Sequence, residues 1–209
     1  MSMLKILGRP ASINVRKVLW TCEELGLPYE NIPWGTEELP LQSPGFLAIN
    51  PNAMVPVIDD GGFILWESNS ICRYLADRYG DGSLLPPPSR ERALVERWMD
   101  WQATELNNAW RYAFMALVRH SPHHRDGALL ADSIAAWNHQ MGLLERQLAA
   151  QGPYLTGERF TLADVVVGLS VNRWNCTPIE HPALPAVERY CALLATRPPF
   201  SRHGNKGIA

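Results

Sequence analysis

Asn50-Pro51-Asn52-Ala53-Met54-Val55-Pro56-Val57-Ile58 is the stretch that decides how this chain is read. Pro56 has no N–H to give to a central ladder, so it belongs at the mouth of a strand running to Ile58. A tight turn there would hold it in cis. Val55 is then left with an outward, unpaired backbone N–H and C=O, an edge that an extended peptide can join. Asp60-Gly61-Gly62 turns the chain, Phe63-Ile64-Leu65-Trp66 brings it back, and Glu67-Ser68-Asn69-Ser70 opens a helix. A helix N-terminus favours a carboxylate. A peptide edge beside a carboxylate pocket describes a receptor for a small acidic peptide.

Working outward, Leu4–Leu7 reads as a short strand broken at Arg9-Pro10. Val15, Val18, Leu19, Cys22 and Leu25 recur at helical spacing up to a Gly26 cap, and Pro28–Ile32 reads as a second strand. The segment 36–45 is irregular, with a helical turn near Phe46-Leu47. A helix over Ser68–Tyr79 buries Ile71, Leu75 and part of Tyr74. This order predicts an α/β thioredoxin-like domain over 1–80. Residues 81–88, ending Pro86-Pro87-Pro88, form a linker that no helix can cross. An all-α domain over 89–209 follows. In it, Arg90–Arg119 and Gly127–Gln151 read as long amphipathic helices, the second with a stripe of Leu130, Ile134, Trp137, Met141, Leu144 and Leu148. Thr161-Leu162-Ala163-Asp164 is a capping box, with Phe160 and Val165 at the staple positions. A last helix over Pro185–Thr196 ends at Pro198-Pro199.

Composition narrows the function classes. Of 209 residues, 46% are apolar and 19% charged, which is globular, and a net charge of −2 offers no field for nucleic acid or anionic membrane. No apolar run is long enough to span a bilayer, and the N-terminus has no export pattern. Cys22, Cys72, Cys176 and Cys191 are scattered, which reads as reduced thiols in a cytoplasmic protein. His123-His124 reads as a polar turn, and no metal site is expected. Arg16 and Arg73 read as solvated or interface charges.

Taken together, the Val55-Pro56 step, Glu67-Ser68, the proline linker and Phe160-Thr161-Leu162-Ala163-Asp164 resemble the cytosolic glutathione S-transferases, over essentially the whole chain. The resemblance implies a cis Pro56, pairing of Val55 with the cysteinyl part of glutathione, and a γ-glutamyl head held by Glu67 and Ser68. It implies glutathione as co-substrate, a small electrophile as second substrate and a homodimer. It places the catalytic group just after the first strand, in Arg9–Arg16, where there is neither tyrosine nor cysteine. Ser12 stands four residues before Arg16, as the serine does in the theta-like and zeta-like classes, and Asn14 is its rival. A hydroxyl donor and a helix N-terminus together lower a thiol pKa from about 8.5; ~2 units is roughly 2.7 kcal/mol in favour of thiolate.

One departure stands out. Many relatives carry a cationic or amide side chain near Met54 for the glycine carboxylate of glutathione, and Met54 cannot serve; Gln42 is the nearest substitute. Trp110, Tyr112, Phe114 and Met115 are the candidates for the electrophile pocket. The resulting expectation is glutathione transfer to an apolar electrophile. The alternatives are a disulfide reductase, dehalogenase or isomerase on the same scaffold, or an interaction module without turnover.

Overall fold

The computed structural model describes residues 3–88 and 90–204. It divides into two compact units, Met1–Pro87 and Pro88–Ala209. The first contains β1 (Leu4–Leu7), α1 (Ile13–Glu24), β2 (Tyr29–Ile32), α2 (Pro44–Leu47), β3 (Val57–Asp60), β4 (Phe63–Trp66) and α3 (Ser68–Tyr79). The sheet order is β2-β1-β3-β4. β1 and β2 are parallel, so α1 must carry the crossover; the other two pairings are antiparallel. This is the thioredoxin-like arrangement. Asp60 pairs with Phe63, which leaves Gly61-Gly62 as a two-residue turn. Both glycines have positive φ (63° and 95°), the conformation that a type I′ hairpin turn requires.

The core of this unit joins Ile6 and Ile58 of the sheet to Val15, Val18 and Trp20 of α1 and Ile71 and Leu75 of α3, all fully buried. A second cluster, Leu7, Phe46 and Val57 with Trp34 and Leu41 against it, packs around α2. Two expectations change here. The ladder begins at Val57, so Val55 and Pro56 both precede the strand. Arg16 is not a solvated charge: it and Lys17 are 1% and 2% exposed. The cause is that α1 packs against both the sheet and α3, so more than one face is covered. Lys17 Nζ donates to Asn69 Oδ1 on α3 at 3.3 Å.

The second unit is helical: α4 (Arg90–Trp101), α5 (Asn107–Leu117), α6 (Gly127–Gln151), α7 (Leu162–Cys176), α8 (Pro185–Ala195) and α9 (Pro198–His203). The helix expected over Arg90–Arg119 is interrupted by a π-helical turn at Gln102–Leu106. Side chains bond back into the backbone there, Thr104 Oγ1 to the Asp100 carbonyl and Asn107 Nδ2 to the Ala103 carbonyl. Apolar periodicity is blind to such a local change of pitch. α8 ends before Pro198-Pro199 as expected, and the two prolines open a further short helix, α9, because proline is tolerated in a first turn. The capping box of α7 forms as expected. Asp164 is fully buried and accepts from the Leu155 and Thr161 amides, the Thr161 hydroxyl and the Tyr190 hydroxyl at 2.8–3.1 Å. Burial nevertheless pushes its carboxyl up to about 6.

Candidate functional site

The site grows from the end of β1. Gly8 follows that strand, and a Cβ built on it would lie 2.5 Å from Val15 Cγ2 and 3.0 Å from Val55 Cβ. Only a residue without a side chain lets β1, α1 and the Val55 loop meet this closely. The loop is fixed from within by Asn50, which is 2% exposed. Its Nδ2 donates to the Met54 carbonyl at 2.8 Å, and its Oδ1 accepts from the Asn52 amide at 3.1 Å and from Asn52 Nδ2 at 3.2 Å. Ala53 between them has a φ of 52°, and the Val55–Pro56 peptide is cis.

On the other side, Glu67 is the N-cap of α3 with a φ of 74°, and its side chain makes no capping bond. Positive φ at a non-glycine residue costs on the order of 1–3 kcal/mol and tends to mark functional segments. Here two such residues, Ala53 and Glu67, flank one groove. Ser68 opens α3 and is 7% exposed. The amide of Ile71 is the one that closes onto the Glu67 carbonyl, so the first amides of α3 face the helix end, where an anion is favoured.

These segments border a groove of about 460 Å³. Its walls include Asn14 from α1, Met54, Val55 and Pro56 from the loop, and Glu67 and Ser68 from α3. Asn50, Asn52 and Trp66 complete them; the sequence reading did not single these out as site residues. The signals were present: two asparagines around Pro51 mark a side-chain-braced loop, and Trp66 immediately precedes Glu67. Gln42 does not line the groove; it is exposed on the loop before α2. Ser12 is the N-cap of α1, in extended conformation, and its hydroxyl makes no capping bond. It is half-buried two residues before Asn14; Asn14 lines the groove and Ser12 is not among its lining residues.

The candidate pocket residues on α5 divide. Phe114 is 4% exposed, edge-on to Trp110 at 5.3 Å and beneath the Arg173 guanidinium at 4.3 Å. It is a core residue of the helical unit. Trp110 and Met115 are half-buried, and Trp110 Nε1 donates to Asn107 Oδ1. Tyr112 packs against His124 instead, its hydroxyl accepting from the Asp126 amide. Cys22 and Cys72 offer no nucleophile here: burial pushes the Cys72 thiol up to about 11 and the Cys22 thiol higher still. Among the described residues no group of side chains could hold a metal ion, and no helix is long and apolar enough to cross a membrane.

A thioredoxin-like unit with this peptide edge and helix end, in one chain with an all-helical unit, defines the glutathione-transferase class. Comparison agrees. Residues 7–87 match the family described as "Glutathione S-transferase, N-terminal domain". The chain is 38% identical over 198 residues to glutathione S-transferase GstB of Escherichia coli K12, covering 94% of this chain and 95% of that protein. It is 31% identical over 211 residues to glutathione S-transferase 3 of Zea mays, covering 97% and 93%. A theta class glutathione S-transferase from Xanthomonas axonopodis pv. citri, solved with glutathione bound, superposes with a TM-score of 0.90 at 37% identity, covering all of both chains. The chain belongs to the glutathione S-transferase family and is a transferase enzyme of that kind.

Proposed function

We propose that the groove of the first unit binds glutathione and holds it as the thiolate for attack on a small electrophile. One observation carries the reading: Val55, the acidic side chain of Glu67 and Ser68 at the N-terminus of α3 line a single groove. The edge pairs with the cysteinyl backbone, Ser68 and the α3 amides receive the γ-glutamyl carboxylate, and Glu67 meets its ammonium. Ser12 donates to the sulfur; its hydroxyl is not spent on capping. Asn14 supports a second reading, because it lines the groove itself. The protein supplies binding and thiolate stabilisation, and the sulfur does the nucleophilic chemistry. Trp110 and Met115, both partly exposed, are offered as the surface for the electrophile, with Phe114 left to the core and Tyr112 to its contact with His124.

Ser68→Ala should weaken glutathione by about 1 kcal/mol or more, since a hydrogen bond to a charged group contributes ~1.5–3. Glu67→Gln should weaken it as well. Calorimetric affinities equal to wild type in both variants would remove the pocket from the account. A screen of aryl halides, peroxides and mixed disulfides separates transfer from reductase chemistry.

The chain is proposed to work as a cytoplasmic homodimer. Its four cysteines are all free thiols. α3 carries Arg73, Asp77 and Arg78, with exposed Phe63 packed on its Tyr74 and Arg78 over the ring of exposed Tyr79. α4 adds Glu91, Arg92, Glu96 and Arg97, with Arg92 already paired to Glu96 at 3.1 Å. Such mixed faces suit an isologous contact. Light scattering should give twice the 23.5 kDa chain mass; a clean monomer at micromolar concentration would contradict the assembly.

A further inference from the structure

The groove is charged at one end only. Among the described residues that line it, Glu67 alone carries a charge, and that charge is negative. The head of a γ-glutamyl ligand is a zwitterion, and this end of the groove balances it. Glu67 answers the ammonium. The carboxylate meets the first turn of α3, beneath which the buried Lys17 ammonium reaches Asn69 at 3.3 Å. Past the Val55 edge the walls turn neutral. Met54 is apolar and 66% exposed. The Asn50 amide is spent inside the loop, giving its hydrogen bond to Met54 and taking two from Asn52. What is left for a ligand there is amide, not cation. Glutathione carries its second carboxylate, on glycine, at the far end of an extended backbone. Among the described residues lining this groove, that carboxylate meets no opposite charge.

Resting on the glutathione reading above, we infer that the enzyme also takes γ-glutamyl thiols whose distal carboxylate is capped or missing. This substrate class comprises the glycyl amide or ester of glutathione and γ-glutamylcysteine itself. Specificity lies in the γ-glutamyl head and the cysteinyl backbone, and the distal residue is a neutral handle. Conjugates built on the glycyl carboxyl group, including amines joined to it as amides, fall in the same class.

The test is a comparison of kcat/KM with one electrophile across four thiols: glutathione, its glycyl amide, γ-glutamylcysteine and N-acetylglutathione. The glycyl amide and γ-glutamylcysteine should stay within about threefold of glutathione, as expected where no ion pair is lost. N-Acetylation, which removes the head ammonium, should cost about tenfold or more. The ratio of glutathione to its amide should not change with ionic strength, because no charge pair stands to be screened. Asn52→Lys, a change on an exposed loop residue, should create a severalfold preference for glutathione over the amide, and that preference should fade in salt. A tenfold or greater loss with both distal variants, while glutathione and the acetylated control behave as stated, overturns the inference and leaves the glutathione reading intact. Indifference to acetylation overturns the glutathione reading, and the inference falls with it. An Asn52→Lys ratio equal to wild type would show that the distal carboxylate lies elsewhere and would also overturn the inference.

Discussion

Asn50 holds the shape of the loop that carries Val55, the proposed peptide-binding edge, and its removal should be felt twice. The side chain is 2% exposed and ties three points of the loop: the Met54 carbonyl, the Asn52 amide and the Asn52 side chain. The last bond joins an exposed side chain and counts for little. The other two contribute about 0.5–1.5 kcal/mol each, so Asn50→Ala should cost roughly 1–3 kcal/mol. A loss of about 2 kcal/mol lowers Tm by roughly 4–8 °C in a chain of this size. Without the tether the left-handed backbone at Ala53 is free to relax, and Val55 is no longer presented at a fixed angle. Glutathione affinity should therefore fall along with stability. Asn50→Asp sharpens the test: it keeps an acceptor for the Asn52 amide but sets a carboxylate against the Met54 carbonyl. It should be no better than alanine. Differential scanning calorimetry and glutathione titration read both effects. A Tm within about 1 °C of wild type, with unchanged affinity, would refute the assignment.

Two other perturbations have definite outcomes. Gly8→Ala drives a methyl group to 2.5 Å from Val15 and 3.0 Å from Val55. Overpacking of this kind costs about 1–3 kcal/mol, and the displaced Val55 should raise KM for glutathione; a variant with wild-type Tm and KM would show that the contact is soft. Asp164 sets an unusual pH dependence. Its carboxyl is raised from 3.8 to about 6 by burial, so its contribution to stability is fully present below 3.8 and is lost as pH rises through 6. The span is roughly 3 kcal/mol. The stability difference between wild type and Asp164→Asn should therefore change between pH 4 and 7, in wild type's favour at the acid end. A difference that is flat with pH would contradict the assignment.

Much of this architecture was legible because local chemistry and tertiary structure agree. Proline at the mouth of a strand, Gly61-Gly62 between apolar runs and the Thr161/Asp164 box each specify their own geometry. The misses share one cause, that patterns describe one face at a time. Arg16 looks like a surface charge until α1 is found covered by both the sheet and α3. The π-helical turn at Gln102–Leu106 leaves amphipathicity intact while changing the pitch. At the site, Val55, Glu67 and Ser68 were readable from strand and helix boundaries. Asn50, Asn52 and Trp66 were signalled only by the asparagines around Pro51 and by Trp66 standing before Glu67; the Asn50 network itself depends on how a loop closes on itself. Gln42 was offered from proximity in sequence alone; it is exposed and is not among the groove's lining residues.

The central claim is that the first turn of α1 stabilises a glutathione thiolate in this groove, and it is tested most directly by titrating that thiolate. Ultraviolet thiolate absorbance of bound glutathione should be followed against pH in wild type, Ser12→Ala and Asn14→Ala. The account predicts a wild-type midpoint well below the ordinary thiol value of about 8.5, raised most by Ser12→Ala and less by Asn14→Ala. A larger rise in Asn14→Ala would move the donor two residues along the same turn. A wild-type midpoint equal to that of free glutathione, unmoved by either substitution, would contradict the claim.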